Sequence, residues 1–197
     1  MRSSKRWRTE KLHHLSDEMA LALSPRLDFY WPKKEIERIV ADQTVLVLPY
    51  RDFAGLEHLG QLVVRHDLAD AMKEIFDALF RVGFPLGSMM PISAFDWDDK
   101  RSMAANNCVG FDFRKKTGKE ELSRHAYGQA IDINPLLNPY MRDGVILPTG
   151  ARYSPFRHGT CDECSLPVRL FKAHGFVWGG EWQSLKDYMH FELSDSS

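Results

Sequence analysis

The chain has 197 residues, 44% of them hydrophobic, and a formal net charge of −1. That length favours one domain with a helical extension, and a core that holds without disulfide staples. A near-neutral charge argues against a nucleic-acid partner, and no apolar run approaches the roughly 18 residues of a membrane span.

The chain opens with Arg2, Lys5, Arg6, Arg8 and Lys11. A secretory signal would continue with an unbroken apolar run, but His13, His14, Asp17 and Glu18 intervene, so no export signal is read and a solvated terminus is expected. Ser16–Ser24 reads as a short amphipathic helix. Pro32 opens a second helix through Lys33 to Asp42, because proline suits a first helical position. Val45–Leu48 reads as a strand ended by Pro49. The clearest helix runs from Leu68 to Arg81. Leu68, Met72, Ile75, Phe76 and Leu79 form its core-facing stripe, with Asp67 as cap and Gly83 as stop. Met89–Ile92 comes next as a strand, then a polar, turn-rich stretch over 94–120. Further strands are predicted at Val109–Phe113, Ala130–Ile133 and Tyr188–Leu193, with a helix from Pro167 to His174 closed by Gly175. Helices first and short strands later predict an α+β fold with a small, mainly antiparallel sheet.

Two segments concentrate metal-ligand chemistry: Ser123-Arg-His125-Ala-Tyr-Gly128-Gln-Ala-Ile-Asp132, and Asp187-Tyr-Met-His190-Phe-Glu192. Zinc takes imidazole nitrogen and carboxylate oxygen, and a catalytic zinc keeps three protein ligands and an open position for water. His125, Asp132 and His190 supply such a set, leaving a net charge of about +1 that acidifies a bound water. His125 and Asp132 stand an odd distance apart, so one regular strand would put them on opposite faces. A bend at Gly128 resolves this. His125 then sits on an entering loop, Asp132 projects from the next strand, and Ile131 and Ile133 face the core. In the second segment His190 and Glu192 point one way, and Met189, Phe191 and Leu193 point inward. Asp187 lies just before that strand, placed to take a proton from the water. Glu192 is placed to orient a ligand. Taken singly, His125 is equally a surface histidine, Asp132 a turn residue and His190 a satisfied strand histidine. Spacing alone leaves both readings open.

The pattern Ser-x-His-x-x-Gly-x-Ala-x-Asp followed by Asp-x-x-His-Phe-Glu resembles the zinc D-alanyl-D-alanine carboxypeptidase family, which includes vancomycin-resistance dipeptidases and phage L-alanyl-D-glutamate endolysins. The resemblance runs from about Gly60 to Leu193. Phe95–Asp99, Ser102-Met103, Asn106-Asn107, Phe111 and Arg114 carry it before the first histidine. Asp132-Ile-Asn-Pro135, Asn138-Pro139 and Gly175-Phe-x-Trp178-Gly-Gly carry it afterwards. The resemblance implies a hedgehog/DD-peptidase fold, with an extension over 1–59 and a zinc peptidase domain over 60–197. It implies Zn2+ at His125, Asp132 and His190, and Asp187 as catalytic base. It makes Arg114 the group that polarises the scissile carbonyl or binds substrate. Ser123 either binds substrate or caps a turn. The implied partner is a peptidoglycan stem peptide or a small D-amino-acid peptide. D-alanyl-D-alanine carboxypeptidase activity is expected first, and L-alanyl-D-glutamate endopeptidase activity second; Asp at 187, where many relatives carry Glu, favours the second. The competing class is a non-catalytic, hedgehog-like zinc module, which has no need of Asp187.

Some residues depart from the pattern. Cys108 stands where a hydroxyl residue is expected, and Glu181 where Asp is usual. Cys161 and Cys164 follow His158 in an unfamiliar segment. They read as a surface loop with two thiols rather than half a zinc site completed by His158 or His174, or a labile disulfide. Trp178 and Trp182 wall the cleft or belong to the core.

Overall fold

In a computed structural model, which describes residues 9–10 and 31–194, the first elements are strand β1 (Thr9–Glu10) and helix α1 (Lys33–Ala41), entered through Pro32. Ile36, Ile39 and Val40 recur at helical spacing and are buried. The expected Ser16–Ser24 helix and the basic start lie outside the described residues.

Strand β2 (Gln43–Arg51) pairs antiparallel with β3 (Glu57–Arg65) over its whole length, and with β1 at Val45 and Leu46. The strand therefore does not stop at Pro49, as its sequence suggests. Pro49 lies beyond the two positions that β1 covers, so no ladder needs the N–H it lacks. The hairpin straddles position 59/60, between the expected extension and the expected peptidase domain.

Alternate residues of this hairpin face two different cores. Leu46, Leu48, Leu62 and Val64 pack against Met72, Ile75, Phe76 and Leu79 of helix α2 (Ala69–Val82). Val45 and Val63 turn the other way, onto α1 and onto Phe111, Phe113 and Leu122. Each such side chain contributes about 1.5–3 kcal/mol when fully buried, so the hairpin is anchored from both sides. Helix α2 ends where Gly83 adopts φ 73°, a left-handed conformation that glycine takes without strain. Asp67 does not cap this helix. Arg65 clasps its carboxylate at 2.6 Å, and a 3-10 turn (His66–Leu68) leads in instead.

The predicted Met89–Ile92 strand shrinks to β4 (Ser88–Met89), which runs parallel to β5 (Asn107–Cys108). Within the turn-rich stretch a short helix α3 (Asp99–Ala104) forms, its start capped by the Asp98 carboxylate accepting from Arg101 N at 3.1 Å. The predicted Val109–Phe113 strand does not form. Val109 makes one bridge to Asp132, and Phe111 N donates to Val63 O at 2.7 Å. Between them the chain presses edge-on against β3: a Cβ on Gly110 would lie 2.2 Å from Val63 O.

The third sheet carries the candidate metal centre. Its middle strand β11 (His190–Leu193) lies between β6 (Ala130–Asp132) and β9 (Phe176–Trp178), all antiparallel. Helix α4 (Leu166–Ala173) covers its back, with Phe171 stacked on Phe191 at 4.3 Å between ring centroids. A further sheet orders β7 (Tyr140–Arg142) between β8 (Val145–Leu147) and β10 (Lys186–Asp187). The fold is α+β with small, mainly antiparallel sheets and helices. Among the described residues, no helix is long and apolar enough to cross a membrane.

Candidate metal centre

The β6–β11 register puts Asp132 directly opposite His190. Cross-strand partners stand about 4.5–5.5 Å apart at Cβ, so both side chains on one face must meet. His125 arrives on a 3-10 turn (Arg124–Tyr127) that Gly128 ends at φ 64°. The turn is locked in place from outside. Arg65 N donates to Gly128 O at 3.0 Å, and a Cβ on Gly128 would fall 2.0 Å from Gln43 Oε1. The bend at Gly128 therefore brings His125 onto the face that Asp132 occupies.

The three side chains converge closely. His125 Nε2 lies 3.1 Å from His190 Nδ1 and 3.2 Å from Asp132 Oδ1, and His190 Nδ1 lies 3.0 Å from Asp132 Oδ1. The outer nitrogens are committed. His125 Nδ1 faces Gly110 O at 2.6 Å, and His190 Nε2 faces Glu192 Oε2 at 3.1 Å. A carbonyl and a carboxylate only accept, so these outer nitrogens carry the protons. In neutral rings the inner nitrogens are then lone pairs. Two lone pairs and a carboxylate, all buried, face one another within hydrogen-bond distance and need a cation between them.

Their spacing suits a metal. Bonds of 2.0–2.1 Å arranged tetrahedrally set ligand atoms about 3.3 Å apart. The observed triangle, 3.0–3.2 Å on a side, is one face of such a tetrahedron. Electrostatics agree with this fit. Burial alone would raise the Asp132 carboxyl, but the two imidazoles hold it far below the usual carboxylate range. Burial likewise opposes charge on His190, yet Asp132 and Glu192 push its pKa up to about 10. Each residue favours positive charge at the spot where a divalent ion would sit.

A cleft of about 330 Å³ opens over this triangle. Asp187, in β10, lines it, and its Oδ1 is buried with no hydrogen-bond partner among the described residues. Burial, opposed by His190 and aided by Asp132, raises the Asp187 carboxyl to about 7. Trp182 stands over His190, with ring centroids 5.4 Å apart, whereas Trp178 is core and donates its Nε1–H to Tyr188 O at 2.9 Å. Arg114 lines the same cleft. Its Nε is held by Asp112 Oδ2 at 3.0 Å and faces Asp99 Oδ2 at 3.5 Å. Burial pushes the Asp112 carboxyl up to about 6 against the pull of Arg114. Ser123 also lines the cleft, but its hydroxyl accepts from His125 N at 3.3 Å as the cap of the 3-10 turn.

All the candidate residues His125, Asp132, His190, Asp187, Arg114 and Ser123 thus border one cleft or its floor. Asp112 and Gly110 escaped notice in the sequence, and Asp99 was read there only within the motif segment Phe95–Asp99. The alternation Asp112-x-Arg114 carried a signal for Asp112, since residues two apart in extended chain share a side. The cysteine loop is different from its expectation. Cys161 is fully buried and burial pushes its thiol well above the ordinary range, while Cys164 is exposed; both are free. Among the described residues they join no metal-type cluster, and His174 is engaged by Leu170 O and Glu74. The loop is not a surface pair of thiols, because Cys161 N is drawn inward by Asn138 Oδ1 at 2.6 Å.

Comparison with known proteins bears on the same region. Residues 117–193 match the family described as D-alanyl-D-alanine carboxypeptidase. The chain is also 37% identical, over 71 residues, to the peptidoglycan L-alanyl-D-glutamate endopeptidase CwlK of Bacillus subtilis (strain 168). That match covers 36% of this chain and 39% of the relative, so it spans about two fifths of the relative's length. No solved structure matches the chain. Both matches bear out the resemblance read from the motifs, and the family match spans the segment that holds the candidate ligands.

Proposed function

We propose that this protein is a zinc metallopeptidase of the hedgehog/DD-peptidase fold that cuts peptide bonds in bacterial cell-wall stem peptides. The observation that carries the reading is the triangle of His125 Nε2, His190 Nδ1 and Asp132 Oδ1, with the unpartnered Asp187 Oδ1 in the cleft above it. A purely structural metal site is closed by a fourth protein ligand and needs no such carboxylate, which favours an enzyme over a binding module.

His125, His190 and Asp132 would hold the ion. Zinc supplies Lewis acidity there, polarising a carbonyl oxygen and acidifying water. The protein's own residues do the rest. Gly110 O and Glu192 fix the proton on the outer nitrogen of each histidine and so keep the inner lone pairs aimed inward. Asp187 accepts the proton of the attacking water at its carboxylate and returns it to the departing amine nitrogen. A carboxyl near neutrality suits both directions of that transfer. Arg114, steadied by Asp112 and Asp99, presents its guanidinium to the carbonyl oxygen as that atom gains charge. Trp182 shields the His190 side from bulk water.

Of the two bonds, the L-alanyl-D-glutamate type is favoured over the C-terminal D-alanine. The curated relative is named for the first, and the Ser123 hydroxyl, needed with Arg114 to receive a terminal carboxylate, is buried and serves the turn. The test is mass analysis of intact muropeptides treated with the zinc-loaded protein. Release of the stem peptide after L-alanine is expected. Release of D-alanine alone would make it a carboxypeptidase, and no product from any muropeptide would overturn the peptidase reading.

A further inference from the structure

Charge in the cleft is segregated by depth. The acids Asp99, Asp132, Asp187 and Glu192 lie with the metal ligands or beside Arg114, whereas Lys116, Lys119 and Arg142 stand on the walls. Two extended arms build those walls. In the first, residues 114–116 pair with 121–123: Ser123 N donates to Arg114 O, Lys116 N donates to Glu121 O, and Lys115 bridges Leu122. Alternation then sends Arg114 and Lys116 into the cleft and Lys115 outward, where it pairs with Glu120. In the second arm, β7, Tyr140 and Arg142 face the cleft while Met141 faces away. Tyr140 is the cross-strand partner of Asp187.

The two arms are built alike. Each places one residue at the reacting centre, Arg114 or Tyr140, and a cation two positions further out. Two positions of extended chain span roughly 7 Å, about two residues of an extended peptide substrate. Both cations retain charge for a ligand. Arg142 engages Asp143 through Nε at 3.2 Å, and Lys116 meets the exposed Glu121 at 3.1 Å. Lys119, at the tip of the first arm, lines the cleft and adds to the pull of Lys116 on the same exposed Glu121 carboxylate. Ion pairs this exposed are weak, so a substrate carboxylate can displace them.

We infer that Lys116, with Lys119, and Arg142 are specificity residues that select an acidic peptide, binding carboxylates within about two residues of the cleaved bond. This rests on the peptidase reading and adds to it the residues that recognise the substrate's carboxylate. The walls raise the local concentration of anionic peptide, and the effect is screened by salt because the Debye length is only about 8 Å at physiological ionic strength.

The experiment uses the full zinc-loaded chain and two synthetic probes. One is L-alanyl-γ-D-glutamyl-L-lysine amide with the glutamyl carboxylate free; the other has that carboxylate amidated. Binding is measured calorimetrically in an Asp187→Ala background, which slows turnover, and cleavage of both probes is measured with the wild type. The free acid should bind more tightly than the amide. The gap should shrink roughly two- to fivefold in Lys116→Gln or Arg142→Gln, and again when salt is raised. Both side chains are exposed, so melting temperatures should not change. If wild type cleaves both probes but they bind equally, or if the gap survives both substitutions, the inference falls and the peptidase reading stands. If neither probe is cleaved or bound, both fall.

Discussion

The floor and the walls of the cleft are built by different means. The floor is three candidate ligands, Asp132 and His190 on a sheet backed by Phe171, Phe191 and Trp178 and His125 on the 3-10 turn beside it, each histidine held from behind by a carbonyl or carboxylate. The walls are short extended arms carrying exposed cations and one half-buried tryptophan. A buried floor tolerates little change, because the outer nitrogen of each histidine is committed and burial makes a missing partner costly. An exposed wall can vary in charge at small cost. On the proposed reading, chemistry sits on the floor and selectivity on the walls.

The largest effect should come from breaking the floor. Asp132→Ala leaves two inner lone pairs and one fewer ligand, so zinc should be lost and turnover should drop to background; elemental analysis and a cleavage assay check this. Unchanged zinc content would remove Asp132 from the ligand set. Next comes pH. Asp187 must be a carboxylate to accept a proton, and burial raises its pKa to about 7 before any ion is added. A divalent cation nearby favours the charged form and lowers that value. The rate should therefore rise with pH at or below about 7, and it should fall as acid protonates Asp187. A kcat/KM profile still flat down to pH about 4, the ordinary carboxylate range, would contradict that role.

Arg114→Lys is a smaller perturbation, since it keeps the charge and loses the planar fork that Asp112 grips. kcat should fall more than KM rises, on the way to the roughly 10²-fold cost of losing an oxyanion donor. Glu192→Gln should weaken zinc binding by roughly tenfold or somewhat more, since it frees His190 Nε2 from its carboxylate without removing a ligand. The smallest effect is expected at the cysteine loop. Cys164→Ser should change neither zinc content nor stability, whereas Cys161→Ser should lower the melting temperature by burying a hydroxyl in an apolar cluster, with zinc content unchanged.

The same contrast explains what the sequence disclosed. The floor was legible because metal chemistry restricts residue type, and because strand alternation sends His190 one way and Phe191 the other. Helix α2 was legible from its stripe and from Gly83. The walls were not. Arms of three residues carry no periodicity to detect, and Val109–Phe113, apolar enough for a strand, is held by Val63 O rather than by a ladder. β3 was missed because Glu57, Gly60 and Gln61 dilute its pattern, and its pairing with β2 is a tertiary fact. Asp67, a plausible cap, was taken by its neighbour Arg65, a competition that spacing does not reveal. Cys161 looked like a loop thiol because nothing local tells that Asn138 pulls its backbone into the core.

The central claim is that three residues hold the metal and a fourth, beside them, moves the proton. Zinc affinity and turnover measured together on Asp187→Ala test it most directly. The account predicts one zinc per chain, bound as tightly as in the wild type, with stem-peptide cleavage reduced by roughly 10²-fold or more. Loss of zinc from that variant, or cleavage at the wild-type rate, would contradict it.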